Sequence, residues 1–177
     1  MSPEAAVAAA MIALVQPDTE GGKKRLETIA TAIVEEARPV AFWSGDSGLT
    51  ATGLMLVAIG FHESKFNEKT RRCLPRPGKY IGLYQILPGA NTRPHAVKDI
   101  CASDALQARL ALGVLARTLD RCPTCSPVHA MRAYASGSAG VDSKESREIT
   151  GLWHRAALSV GLTVFPYSRE QPRVAQR

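Results

Sequence analysis

Apolar positions recur at helical spacing along most of the chain. Leu26, Ile29, Ala30, Ile33, Val34 and Ala37 stand at i, i+3, i+4, i+7, i+8 and i+11, one stripe of an amphipathic helix. Lys24, Glu27, Glu35, Glu36 and Arg38 lie mostly on its other face, and Pro39 stops it. Ser2, Pro3 and Glu4 read as the cap, first position and first turn of an earlier helix that reaches about Val15. Ser103 caps a predicted helix over Asp104–Asp120, with Leu106, Leu110 and Val114 on its apolar face. Ser126-Pro127 opens another, carrying Val128, Met131 and Tyr134, and Gly137 and Gly140 break it. Asp142 and Glu145 have the spacing of a capping box. The last helix behind them places Ile149, Leu152, Trp153, Ala156 and Val160 inward and stops at Gly161.

One stretch departs from amphipathicity. Leu54, Met55, Leu56, Val57, Ala58, Ile59, Gly60 and Phe61 are apolar or small, and His62 and Glu63 follow. A helix apolar all round is a buried helix, and Thr50 is placed to cap it. A carboxylate at its end loses hydration, which disfavours the charged form and raises the pKa. A general acid working near neutral pH needs that shift.

The remainder connects these helices. Val40–Gly48 reads as a loop carrying Phe42, Trp43 and Asp46, where Trp43 is either a sugar-stacking face or a packing residue. Residues 68–79 are polar and Pro/Gly-bearing, a long surface loop and one wall of a cleft. Tyr80–Leu87 fits a short strand, a small irregular segment or a turn entering a helix, and Pro88-Gly89 turns the chain out of it. No internal repeat or linker interrupts the pattern. The expectation is one all-α domain over 1–177, with scaffold helices in 1–39, a catalytic core in 50–161 and a loose tail in 163–177.

Composition narrows the class. The 177 residues are long enough for one buried core. A net charge of +6 and a pI near 9.4 favour an anionic partner. No basic stripe alternates with aromatics, which argues against nucleic acid. Ala5–Val15 follows Ser-Pro-Glu and lacks a basic n-region, so it reads as a plain helix and not a secretory signal. No apolar run is long enough for membrane insertion. His62 reads as structural; His95, His129 and His154 show no ligand pairing, so neither metal nor cofactor is expected. Cys122-Pro-Thr-Cys125 and the single Cys73 and Cys101 straddle the Asp104–Asp120 helix. Its length, about 27 Å, keeps Cys101 from the CxxC. Local pairs Cys73–Cys101 and Cys122–Cys125, or four free thiols, both fit.

Three segments now stand in order: Glu63-Ser64-x-Phe66-Asn67, Gly82-Leu83-Tyr84-Gln85-Ile86 and Ala133-Tyr134-Ala135-Ser136-Gly137. Together they resemble the lytic transglycosylases of the soluble and goose-type-lysozyme-like group, with E-S-x-F-[ND], G-L-x-Q-[IV] and A-Y-N-x-G. The resemblance spans roughly residues 50–140 and implies a lysozyme-like fold that cleaves peptidoglycan glycan strands. Carried over, it makes Glu63 the catalytic acid and then base. Ser64 shapes the site beside the acid and the neighbouring acetamido group. Gln85 contacts substrate, with the backbone of Gly82 and Leu83 approaching the glycan. Tyr134 orients the acid. Ala135 replaces the family Asn on the cleft wall, and Tyr84, where Met is common, offers a stacking face.

Most glycosidases use two carboxylates about 5–9 Å apart. Asp46, Glu68 and Asp99 are the candidates for a second one, and none lies in a matching motif. In the family the substrate's N-acetyl group takes that role, and a 1,6-anhydro ring closes without water. The expectation is therefore a peptidoglycan lytic transglycosylase acting in the periplasm or cell wall. A phage virion, lysis system or secretion machine would deliver it, and proteins of those assemblies would be its partners. Two rivals stand beside it: a goose-type lysozyme that hydrolyses the same bond, and a non-catalytic wall-binding or virion module.

Overall fold

A computed structural model describes residues 1–74, 79–137 and 142–163. The fold is all-α. The described residues form eight α-helices: α1 (Pro3–Val15), α2 (Glu20–Ala37), α3 (Gly45–Ser64), α4 (Glu68–Arg71), α5 (Val97–Ala102), α6 (Asp104–Arg121), α7 (Pro127–Ser136) and α8 (Lys144–Ser159). Helix α3 is the axis. Every residue from Gly48 to Gly60 is buried, because α1, α2, α6, α7 and α8 all pack around it. The amphipathic stripes read from sequence face this axis. All six α2 positions named above are buried, as are Leu110, Val128, Met131, Ile149, Leu152, Trp153 and Ala156. Val114 and Val160 are only half-buried.

Several boundaries differ from expectation for local reasons. Helix α3 starts at Gly45, with Ser44 at the cap position, so Asp46 sits in its first turn. Thr50 is inside the helix, and its hydroxyl donates back to the Asp46 carbonyl (2.8 Å). The expected loop over 68–79 begins as the short α4, because the Asn67 carboxamide accepts from Lys69 N and Thr70 N (2.9 and 3.3 Å). Helix α8 is capped by Ser143, whose hydroxyl accepts from Ser146 N (3.1 Å). Asp142 pairs with Arg147 instead (3.1 Å). The Tyr80–Leu87 run takes the irregular alternative: Ile81 and Ile86 exchange both backbone hydrogen bonds (3.0 Å each) and close a tight reverse turn. The expected break at Gly140 and the tail from 164 lie outside the described residues.

Both local cysteine pairs are bonded, Cys73–Cys101 and Cys122–Cys125. Cys101 precedes α6 and Cys122 caps its far end, so the helix separates the two bridges. Cys73–Cys101 ties the chain after α4 to α5 across 28 residues. Chain-entropy reasoning assigns such a loop about 3–4 kcal/mol, and a loop as short as Cys122–Cys125 about 2 kcal/mol. The double variant Cys73→Ser/Cys101→Ser should therefore lose more stability in urea titration than Cys122→Ser/Cys125→Ser. Equal losses would mean that the long loop is already ordered in the unfolded chain.

Candidate active site

Glu63 lies in the last turn of α3, half-buried. What ends the helix here also builds its surroundings. Lys65 and Phe66 both take left-handed backbone (φ 53° each), a strained pair for residues with side chains. The Ser64 hydroxyl holds the turn, donating to Gly60 O (2.9 Å) and accepting from Phe66 N (3.2 Å). The turn folds the Phe66 ring back on α3 at Gly60. A Cβ at Gly60 would stand 2.7 Å from Phe66 Cζ and 3.2 Å from Tyr84 Cε1, so only glycine admits both rings. Ser64 is thus a buried peg of the helix end, and both of these hydrogen bonds run to the backbone.

Burial raises the Glu63 pKa. Among the described residues no charge adds to that shift, and no hydrogen bond or ion pair holds its carboxylate.

The second segment wraps over this floor. Gly82 is left-handed (φ 69°), and a Cβ there would collide with the side-chain amide of Gln107. That amide is wholly buried on α6. Its Oε1 accepts from Leu83 N (2.7 Å), and its Nε2 donates to Arg71 O (3.1 Å) and Ile100 O (3.0 Å). One side chain therefore pins the 82–83 turn to the ends of α4 and α5. The Gly82 carbonyl accepts from both Gln85 N (3.2 Å) and Gln85 Nε2 (2.8 Å). The expected backbone approach to glycan is thus corrected at Leu83, which is fully buried with its amide occupied. Gln85 is half-buried, with a strained φ of 46°. Tyr84 is fully buried against Gly60, so it offers no stacking face. Burial and the nearby Asp104 charge hold its phenol neutral.

Tyr134 on α7 joins the two segments. Its hydroxyl donates to Tyr84 O (2.7 Å), one peptide from Gln85. Burial raises its pKa well above the usual phenol value, and the Glu63 charge adds to the shift. Glu63, Tyr134 and the Tyr84–Gln85 peptide are therefore neighbours. The phenol proton goes to the peptide and not to the acid, so Tyr134 fixes the wall beside Glu63. Ala135 is half-buried against the core. Tyr134→Phe strands the Tyr84 carbonyl and should destabilise the protein by about 1–2 kcal/mol in chemical denaturation. A loss below a few tenths would mean that water replaces the hydroxyl.

Other sequence candidates are not brought here. Trp43 stacks on Trp153 (6.0 Å, 11°) beyond the start of α3, so it is a packing residue. Asp46 lies about 25 Å along the helix from Glu63. Glu68 pairs with Arg25, Arg71 and Arg72. Asp99 is exposed on α5. His62 faces the Glu145 and Glu148 charges of α8, and burial lowers its pKa. Among the described residues no three metal-ligating side chains converge.

Sequence reading missed Gln107. The available signal was its register: Gln107, Ala111 and Leu115 follow at i, i+4 and i+8 on the inner face of α6, and a polar residue on a buried stripe must find partners.

Beside Gln85 the surface opens into a hollow of about 210 Å³, whose rim includes Thr70, Lys79 and Tyr80. A wider groove of about 820 Å³ runs along Arg72, Val97, Lys98 and Ala102, and the two share Cys73 and Leu74. Glu63 lines neither. No protein-family model, curated protein or solved structure matches this chain.

Proposed function

We propose that the protein is a peptidoglycan lytic transglycosylase with Glu63 as its acid and base. The observation that carries this is the state of Glu63: a single half-buried carboxylate, its pKa raised by burial, with no charge of the described residues acting on it. A second catalytic carboxylate nearby would itself raise the pKa, and the candidates Asp46, Glu68 and Asp99 are distant, ion-paired or exposed. Such a site suits a substrate that brings its own second group.

In the proposed reaction Glu63 protonates the glycosidic oxygen between N-acetylmuramic acid and N-acetylglucosamine. The muramic acetamido group stabilises the anomeric carbon as the bond breaks. Glu63, now a carboxylate, takes the proton from the C6 hydroxyl, and O6 closes on C1. The proton lost at the start is regained at the end, and no water is consumed. Tyr134 and the Tyr84–Gln85 peptide wall the acid, and the Gln85 carboxamide stands at the adjoining hollow.

Two disulfides suit an oxidising compartment such as the periplasm or cell surface, where the wall is found. No helix of the described residues is long and apolar enough to cross a membrane. Delivery by a phage virion, lysis system or secretion machine is part of the same proposal.

Mass spectrometry of digested sacculi tests it. The expected products carry 1,6-anhydromuramic ends. Reducing ends alone would make the protein a goose-type lysozyme. Intact sacculi that still retain the protein would make it a binding module.

A further inference from the structure

The two disulfides differ in more than position. Cys73 is only 9% exposed, and its bridge to Cys101 joins segments 28 residues apart. Cys122 and Cys125 are three residues apart, in the turn between α6 and α7. Neither is buried, and Pro123 and Thr124 between them are exposed. A bridge that borders solvent is open to attack by a thiolate, whereas burial shields one from it.

The turn is held by more than the bridge. Cys125 N donates to Cys122 O (2.9 Å). Cys122 N donates to Thr118 O and Leu119 O at the end of α6. Ser126 and His129 cap α7 reciprocally, and the ring of Pro123 fixes one backbone dihedral. None of these restraints involves sulfur. The turn therefore keeps its shape with the bridge open, and the two thiols stay within reach of each other.

The sulfurs are not equivalent. Cys122 caps the C-terminal end of the 18-residue α6, the negative end of a helix dipole. Cys125 directly precedes the Ser126 cap of α7, beside a positive end. A thiolate is therefore better accommodated at Cys125. Cys125 is also packed on the core, whereas the Cys122 sulfur lies by the exposed Thr124 hydroxyl (3.8 Å). Access favours attack on Cys122, and the dipoles favour departure of Cys125.

We propose that Cys122–Cys125 is a thiol–disulfide exchange site whose reaction partner is a dithiol, while Cys73–Cys101 stays closed. One thiolate of the dithiol attacks Cys122 Sγ. The bond between the two cysteines breaks, and its electron pair leaves on Cys125 Sγ. The partner's second sulfur, as thiolate, then attacks the partner sulfur of the mixed disulfide and releases Cys122. The partner ends as a disulfide, and its two protons end on Cys122 and Cys125. Two electrons have passed to the protein. Run backwards, the same steps restore the bridge from an external disulfide. The site stands at the end of α7 remote from Tyr134, and its chemistry draws on no group of the glycan site.

Dithiothreitol tests this on the folded full-length chain, read by alkylation of the freed thiols and peptide mass spectrometry. Cys122 and Cys125 should become alkylated at least about tenfold faster than Cys73 and Cys101, with helicity by circular dichroism unchanged. Oxidised glutathione should then close the bridge again. Two single variants locate the attack, since about 27 Å of α6 keeps either remaining thiol away from Cys73–Cys101. Given oxidised glutathione, Cys122 in Cys125→Ser should form the mixed disulfide about tenfold faster than Cys125 in Cys122→Ser. Equal rates of reduction at the two bridges, or opening of Cys122–Cys125 only with loss of helicity, would overturn the exchange site. Faster capture at Cys125 would overturn the assigned point of attack.

Discussion

Glu63→Gln should reduce glycan cleavage roughly 10³-fold, within the range that a positioned general acid supplies. The substitution keeps the shape of the side chain and removes only the transferable proton, so the loss is expected in kcat with sacculus binding retained. The same variant should be more stable than the parent at neutral pH. In the folded state the Glu63 pKa is raised by burial, so the native protein holds this proton more tightly than the unfolded chain does. Stability from this group is therefore full below the ordinary glutamate pKa of about 4.3 and declines as pH rises through the folded pKa. An amide has no such penalty. Half-exposure screens the charge, so the gain is small, about 2 °C in Tm at pH 7, and it should vanish near pH 3.5. A variant equally active on sacculi ends the catalytic assignment. A variant inactive but no more stable at pH 7 means that the Glu63 carboxylate is well solvated.

The raised pKa also sets the form of the rate profile. Glu63 must start protonated, so activity should fall on the alkaline side as it ionises, with the midpoint above that of a solvated glutamate. A two-carboxylate hydrolase would add an acid limb from its ionised partner. No such limb is expected from Asp46, Glu68 or Asp99, given where each lies.

What was legible in the sequence follows from how local the physics is. Periodicity set the inward faces of α2, α7 and α8, because burial of a stripe is decided by spacing along one helix. The uniform apolar run from Leu54 to Phe61 marked α3 as the axis for the same reason. Glu63 was legible because its environment is set by the helix that ends at it. The caps were harder: Ser143 and Asp142 are adjacent and both competent, and residue type does not select between the Ser143 cap and the Asp142–Arg147 pair. Leu83 and Tyr84 were misplaced because their roles depend on contacts from α3 and α6, distant in sequence. For Trp43 both a stacking face and a packing role stood open in the sequence, and the packing role is the one found, with its partner Trp153 110 positions away.

Gln107 is the largest of these non-local effects, and its removal should be the most damaging single change outside the acid. Gln107→Ala leaves Leu83 N, Arg71 O and Ile100 O without their partner in a buried site. Unsatisfied buried groups cost about 1–3 kcal/mol each, so a loss of about 4 kcal/mol is expected, with a Tm lower by about 10 °C. Gln107→Leu separates the causes. Leucine restores most of the volume but none of the hydrogen bonds, so it should be nearly as destabilising as alanine. Recovery of stability in the leucine variant would show that packing, not polar pairing, holds α4, α5 and the 82–83 turn together. The hydrogen bonds matter for the site because, among the described residues, Gln85 bonds only within its own turn. Its amide and carboxamide both bond Gly82 O, and Gly82 is pressed against the Gln107 amide. Loosening Gln107 therefore releases the Tyr84–Gln85 peptide that receives the Tyr134 hydroxyl, and with it the wall beside Glu63. In either variant KM for sacculi should rise even at temperatures where the protein stays folded, which a purely global loss of stability would not produce.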